Sequence, residues 1–466
     1  MPLIKSISGI RGTIGGKQGD NLTPEDVVKF TAAFAVWAMK KSTKRKMVIG
    51  RDARISGAII SSLVTATLQS LGIGVIDLGL STTPTVEIAV VDHDCAGGII
   101  ITASHNPMQW NALKLLNHKG EFINEAEGKE VLRLADAGNF FFAEVLSLGN
   151  FVRDENGIEN HIKKILALPL VNAEAIKKKK FKIVVDAVNS TGGIAVPELL
   201  KALGVKEVIE LNCEPTGKFA HNPEPLAENL VGLAHLVKFH KADLGFAVDP
   251  DVDRLAIVND DGSMFGEEYT LVAVADYVLK NVKGAGERNT VSNLSSTRAL
   301  KDITLKAGGK YFATAVGEVN VVTKMKEAKA VIGGEGNGGV IYPEFHYGRD
   351  AMVGIALFLS HLATSGKTCT VLRSDYPNYV ISKNKIQLTP EVNIDRILKA
   401  VEKKYSKQPI NTEDGLKIEF DGDWVHLRKS NTEPIIRIYS ESSHETTANK
   451  LAEKIMEDIK GLMKEG

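Results

Sequence analysis

An excess of charge of either sign is the first thing missing. With 57 basic and 57 acidic residues among 466 the formal net charge is zero, so bulk electrostatics provide no pull toward nucleic acid or an anionic membrane surface. Cysteine is scarce: Cys95, Cys213 and Cys369 stand far apart, are odd in number and show no metal-ligand spacing. That excludes a disulfide framework and predicts a reducing, cytoplasmic setting. No apolar run approaches the roughly 20 residues that span a bilayer. The opening MPLIKSISGIRG lacks the apolar core and small-residue cleavage site of a signal peptide. The two basic clusters, Lys40 to Lys46 and Lys177 to Lys180, each precede an apolar strand and read as solvated helix ends.

What is present is organised around GGIIITASHNP, Gly97 to Pro107. Ile99, Ile100 and Ile101 form the β-branched run of a strand covered on both faces. The chain then turns small and polar, and Asn106-Pro107 breaks the regular backbone. Ser104 therefore sits on a turn at a strand end, where ligands meet α/β folds. Position alone favours a structural serine, bonded to nearby amides.

The length predicts about three domains, and an internal repeat agrees. Thr23 caps a first helix running to about Lys41, with Pro24 and Asp26 in its first turn and Val27, Phe30, Phe34 and Trp37 on one face. A strand at Met47 to Ile49, a helix at Ser56 to Leu71 and a strand at Val75 to Leu78 follow. The same order returns from Lys182 to Asp249 and again from Thr290 to Glu335. Each copy ends in an unusual loop, a symmetry able to bring SHNP, DPDVDR and GEGNGG to one cleft. After about Ser365 the stretch SGKTCTVLRSDYPNYV reads as a connector to a smaller α+β domain on a hinge. The expected fold is three similar α/β domains with mixed sheets flanked by helices (1–150, 151–256, 257–365) plus that C-terminal α+β domain (366–466).

Asp249, Asp251 and Asp253 alternate after an apolar strand, so their side chains share one side of an extended turn and can hold a hard cation. An EF-hand is ruled out by Arg254 at the sixth position, where glycine is needed, and Asp260 at the twelfth. Magnesium fits a site with few carboxylates that also takes phosphate oxygens and waters, and a solvated acidic turn is the plain alternative. Gly334 to Gly339 formally satisfies G-x-G-x-x-G, but Val340 to Pro343 looks extended where a dinucleotide site needs a helix. Glu335 and Asn337 there can bond vicinal hydroxyls. Arg428 to Pro434, followed by Arg437, gathers guanidinium, hydroxyl and amide donors suited to a phosphate monoester. An ordinary glycine-rich turn and an ordinary polar turn remain open for these two stretches. An acyl hydrolase is excluded, since no G-x-S-x-G elbow surrounds Ser104 and adjacent His105 is poorly placed to bond it.

Read together, the loops resemble those of the α-D-phosphohexomutases. TASHNPMQWNALK (102–114) is similar to their phosphoserine loop, with Ala112 where glycine is common. D-P-D-V-D-R matches their metal loop. GEGNGG resembles their sugar loop, with Asn337-Gly338-Gly339 replacing serine-glycine-histidine. RKSNTEP matches their phosphate loop, and Ser8-Gly9-Ile10-Arg11-Gly12 their amino-terminal element. The resemblance implies a catalytic set of Ser104, His105, Lys114, Arg254 and Arg11, with Lys114 a candidate for proton transfer. It implies a magnesium ion held by Ser104, Asp249, Asp251 and Asp253, and a substrate held by Glu335, Asn337, Gly338, Arg428, Ser430, Asn431, Thr432 and Arg437. The implied activity interconverts hexose 6- and 1-phosphates through a phosphoserine and a 1,6-bisphosphate, with glucosamine phosphate favoured and mannose or glucose phosphate as the alternative. A sugar-phosphate phosphatase and a non-catalytic sugar-phosphate sensor are the other classes. The implied partner is a small sugar phosphate, with neither nucleic acid nor membrane, in a monomer or homodimer.

Overall fold

The computed structural model describes residues 3–6, 9–282, 288–388, 393–429 and 435–464. It divides into two compact units, Met1–Asn281 with Asn337–Arg373, and Val282–Gly336 with Ser374–Gly466.

The first unit holds two sheets. The larger has seven strands in the order Ile4–Ser6, Gly9–Thr13, Trp110–Leu116, Gly98–Ile101, Lys46–Arg51, Gly74–Leu80, Phe151–Arg153. From Gly98–Ile101 outward to Phe151–Arg153 neighbouring strands are parallel, whereas Trp110–Leu116 runs antiparallel to both of its neighbours. The isoleucine run is fully enclosed, as its unbroken apolar pattern requires. The first helix, Pro24–Lys41, starts where the Thr23 amide and hydroxyl donate to Asp26 Oδ2 at 3.2 and 2.6 Å. Its Val27, Phe30, Phe34 and Trp37 are each at most 1% exposed and join the core with Ile49, Ile99 and Ile101. The second sheet places Leu244–Val248 between antiparallel Leu255–Asn259 and parallel Lys182–Asp186, with Glu207–Leu211 beyond.

The third repeat is divided. Its helices Glu267–Asn281 and Ala351–Ser365 and strand Gly339–Ile341 belong to the first unit. Parallel strands Tyr311–Thr314, Thr290–Asn293 and Ile332–Glu335 belong to the second. Beside them the C-terminal sheet is antiparallel throughout, in the order Val380–Gln387, Ile435–Ser442, Trp424–Lys429, Leu416–Glu419, Ile410–Asn411. Helices Ile394–Lys404 and Glu445–Lys464 pack on its apolar face through Ile397, Val401, Ile455 and Ile459.

One expectation is corrected. The connector after Ser365 contains the helix Cys369–Ser374, because Cys369 and Leu372 lie one turn apart and bury together while Thr370 bonds Asp260 through both amide and hydroxyl. Within the second unit the C-terminal domain is bonded to the third repeat. Lys417 Nζ donates to Leu294 O at 2.7 Å, Ser295 Oγ meets His426 Nδ1 at 2.9 Å, and the Arg298 amide donates to Glu441. Polar positions of its strands thus point into the third repeat's loop after Thr290–Asn293. Burial pulls the Lys417 ammonium down to about 8 and the His426 imidazole down to about 4, the signature of groups fixed in an interior.

Candidate active site

The serine turn is held from beneath by charge. Thr102 Oγ1 donates to Asp52 Oδ2 at 2.6 Å and accepts from the Ser104 amide at 2.9 Å. The fully buried Arg54 guanidinium pairs with Asp52 at 3.0 Å and donates to the carbonyls of Ser104, Asn106, Pro107 and Trp110 at 2.5 to 2.9 Å. A planar fork with five donors suits this clustering of acceptors. Ser104 itself takes φ +49°, a left-handed conformation that an L-residue keeps only when its surroundings over-determine it. Its Oγ donates to Asp249 Oδ2 at 2.7 Å and lies 3.4 Å from His105 Nδ1.

The acidic turn is also strained and also braced. Val252 adopts φ +62°, unusual for a β-branched residue. The Pro250 carbonyl accepts from the hydroxyls of Ser190 and Thr191, that of Asp251 from the Thr83 amide, and that of Val252 from the Ala351 amide. Thr83 Oγ1 also donates to Asp251 Oδ2 at 2.6 Å. Segments from all three repeats thereby fix one loop, and the three carboxylates are completely buried.

Cations surround them. Lys114 Nζ stands 2.6 Å from Asp251 Oδ2 and 3.5 Å from Asp253 Oδ2, and Arg349 donates to Asp253 Oδ2 at 2.7 Å. Arg254 lies 3.5 Å from Glu224 and 3.9 Å from Asp253, and Arg11 reaches Asn106 Oδ1 at 3.5 Å. Burial and the neighbouring Asp253 and Asp251 push the Asp249 carboxyl well above its usual range. Burial works the same way on Asp253, but Arg349, Lys114 and Arg254 outweigh it and hold that carboxylate ionised. Although burial disfavours the Lys114 ammonium, Asp251 and Asp253 raise its affinity for the proton. The His105 imidazole, buried and close to Arg254, is held neutral.

The residues fit a hard divalent cation. One oxygen from each of Asp249, Asp251 and Asp253 lies within 4.8 Å of the others. Asp251 Oδ1 and Asp253 Oδ1 are buried with no hydrogen-bond partner, which costs free energy that an ion would relieve.

The remaining sequence candidates are divided between the two units. In the first unit, Asn337 Oδ1 accepts from the Gly339 amide at 3.2 Å. Gly338, at φ +85°, leaves no room for a side chain, since a Cβ would sit 2.3 Å from Leu255 O. In the second unit, the Glu335 carboxylate is 4% exposed and accepts from Asn293 Nδ2 and the Gly317 amide. Arg428 and Arg437 face each other across antiparallel strands, and Lys385 faces Arg437 on the next. Three like charges in one row are unfavourable without an anion, although Asp414 pairs Arg428 at 2.7 Å. Ser430, Asn431 and Thr432 lie outside the described residues, as does Ser8. Sequence reasoning passed over Asp52, Arg54, Thr83 and Arg349. Its best signal for the first pair was Arg51-Asp52-Ala53-Arg54, a charged cluster directly after an apolar strand.

Comparison with known proteins divides the chain into four domains. In chain order the sequence matches the phosphoglucomutase/phosphomannomutase alpha/beta/alpha domains I, II and III over residues 3–141, 159–262 and 266–379, and the C-terminal domain over 386–458. A phosphoglucomutase/phosphomannomutase of Thermococcus kodakarensis is 37% identical over 460 residues, covering 97% of this chain and 99% of that one. A phosphoglucosamine/phosphogalactosamine mutase of Sulfurisphaera tokodaii is 33% identical over 458 residues, covering 97% and 98%. The crystal structure of a phosphoglucomutase/phosphomannomutase family protein from Burkholderia thailandensis superposes with a TM-score of 0.84 at 25% identity, covering 98% of each chain. With all four domains matched in order and relatives aligned along nearly its whole length, the chain belongs to the phosphoglucomutase/phosphomannomutase family.

Proposed function

We propose that the protein is a phosphohexomutase that interconverts the 6-phosphate and 1-phosphate of a hexose, with glucosamine phosphate as its substrate. The observation that carries this reading is Ser104 Oγ at 2.7 Å from Asp249, beside two buried carboxylate oxygens without hydrogen-bond partners. Ser104 carries the phosphoryl group and passes it to the free sugar hydroxyl. The bisphosphate so formed reverses and returns its other phosphate to Ser104. Asp249, Asp251 and Asp253, with Ser104, would hold magnesium, which would supply charge neutralisation for the moving phosphoryl group. Arg254 and Arg11 add fixed positive charge. His105 and Lys114 are the candidates for moving the proton between the sugar hydroxyl and the departing oxygen. Arg428 and Arg437 suit the phosphate that does not react, and Glu335 and Asn337 the sugar hydroxyls.

The amino sugar is favoured by the phosphoglucosamine/phosphogalactosamine mutase of Sulfurisphaera tokodaii at 33% identity and by a relative of Pyrococcus horikoshii, named a probable phosphoglucosamine mutase, at 32%. The 37% identical relative is named for glucose and mannose phosphates, which favours the second reading. Initial rates with glucosamine, glucose and mannose 1-phosphates, each primed with its 1,6-bisphosphate, decide between them. A higher kcat/KM for mannose or glucose phosphate overturns the first reading, and release of inorganic phosphate without isomerisation overturns both. Three free cysteines agree with a cytoplasmic setting, and among the described residues no helix is long and apolar enough to cross a membrane.

A further inference from the structure

After the strand Gly339–Ile341 the chain reverses and returns beside it. The Phe345 and His346 amides donate to Tyr342 O at 2.9 and 3.1 Å, and the Asp350 amide donates back to Val340 O at 2.8 Å. The reversal sets Arg349 against Gly339, where a Cβ would lie 2.4 Å from Arg349 Cδ and 3.1 Å from its Cγ. Two carbons that close overlap severely, so a residue with a side chain at 339 would close the arginine's path. Gly339 is also where the loop departs from the one it resembles, with glycine in place of histidine.

The guanidinium admitted in this way is 9% exposed and donates to Asp253 Oδ2 at 2.7 Å, across 96 positions of chain. The other oxygen of that carboxylate, Oδ1, is buried with no hydrogen-bond partner. Both neighbours of Arg349 are fixed. A Cβ on Gly348 would sit 1.8 Å from Glu87 Oε2. Asp350 accepts from the Met352 and Val353 amides at 2.7 and 3.2 Å, capping the helix Ala351–Ser365, and meets His161 and His346 at 2.9 and 3.2 Å. The Ala351 amide then donates to Val252 O at 3.1 Å. One short segment of the third repeat thus grips the acidic turn twice, by backbone and by side chain.

We propose that Gly339 and Arg349 work as a pair: the side chain missing at 339 admits the arginine, which engages Asp253 Oδ2 and turns Oδ1 to the cation. The pairing rests on the mutase reading, in which Asp253 helps to hold magnesium beside Ser104. Arg349 acts through Asp253 and is therefore a positioning residue. A ligating carboxylate held by an outer hydrogen bond keeps the orientation its ion needs, and loss of such a bond costs about 10- to 100-fold in metal affinity or activity.

Gly339→Ala keeps every charge and places one methyl group in the arginine's path. It should lower kcat about 10- to 100-fold, change KM less than about threefold and raise the half-saturating magnesium concentration about tenfold. The methyl meets side chains and not backbone, so the fold should persist. Made in Arg349→Ala, the same substitution should add less than about twofold to the loss in kcat, because the path is then empty. Its approach to Asn337 Oδ1, at 3.1 Å, is present in both backgrounds and cancels in the comparison. Arg349→Lys, which keeps the charge without the fork, should fall between the parent and Arg349→Ala in kcat. A readout without turnover is the rise in melting temperature with magnesium in the substrate-free protein, which should need about tenfold more magnesium in Gly339→Ala. A parental kcat and magnesium response in Gly339→Ala, or equal losses in the two backgrounds, would overturn the pairing. A parent that fails to isomerise sugar phosphates overturns the mutase reading instead, and the substrate-free magnesium titration still decides the pairing.

Discussion

Two regions of this molecule gather charges of one sign, and they do so under opposite conditions. In the first unit three carboxylates are completely enclosed on a strained turn and answered by Lys114, Arg349 and Arg254. In the second, Lys385, Arg437 and Arg428 lie in register across one sheet face, exposed to half-buried, with Asp414 as partner to one. Enclosed charge cannot be screened by salt, so its free energy is released only by a fixed cation or by chemistry. Charge on a wet face is screened and serves recognition. The difference predicts that damage to the first region appears in turnover and damage to the second in binding.

The sharpest break comes at Ser104. Ser104→Ala should lower kcat by roughly 10⁴-fold or more while the cooperative unfolding transition stays intact; residual turnover near the parent's would remove the nucleophile. Asp251→Asn deletes one anionic oxygen from the enclosed trio, and should lower kcat by about 10²-fold and raise the half-saturating magnesium concentration about tenfold. A magnesium titration superimposable on the parent's would contradict the site.

Arg54 tests whether holding the serine turn matters apart from its chemistry. Arg54→Lys keeps charge beside Asp52 but loses the planar fork that reaches four carbonyls. A kcat lowered about tenfold to a hundredfold with KM changed less than about threefold is expected. An unchanged kcat would show that the turn keeps its shape unaided. Arg428→Ala, by contrast, should raise KM about tenfold, in a manner that shrinks at high salt, and leave kcat nearly alone. A loss confined to kcat would erase the division between the two regions.

The smallest effect concerns stability. His346 lies 3.2 Å from Asp350 and 3.3 Å from Glu87, which lift its imidazolium to about 9 against the burial that opposes it. The folded protein therefore holds a proton that the unfolded chain releases near the ordinary histidine value. The stabilisation is complete below about pH 6.5 and is lost as pH rises toward about 9. Urea midpoints should fall across that window in the parent and stay flatter in His346→Gln.

Much of this was legible in order along the chain. Ile99 to Ile101, Asp249 to Asp253 and the helix face of Phe30, Phe34 and Trp37 announced themselves because burial on both faces, alternation and the 3.6-residue period are local signals. The connector after Ser365 was misread because Cys369 and Leu372 supply too short an apolar pattern to declare a helix that only docking stabilises. Arg54 was passed over because a charged residue after a strand usually meets water, and the four carbonyls it serves lie about fifty residues ahead.

By itself the sequence determined which chemistry is carried: a turn serine, three alternating carboxylates, a glycine-rich loop and a basic turn, each written in contiguous residues. The tertiary structure alone decided that Ser104 reaches Asp249 across 145 positions of chain, that two oxygens of the acidic turn are left without hydrogen-bond partners, and that the apolar side chains of Phe141 and Leu146 are held outward. Those facts depend on long-range closure and on which groups water no longer reaches, and neither is encoded in the spacing of neighbouring residues.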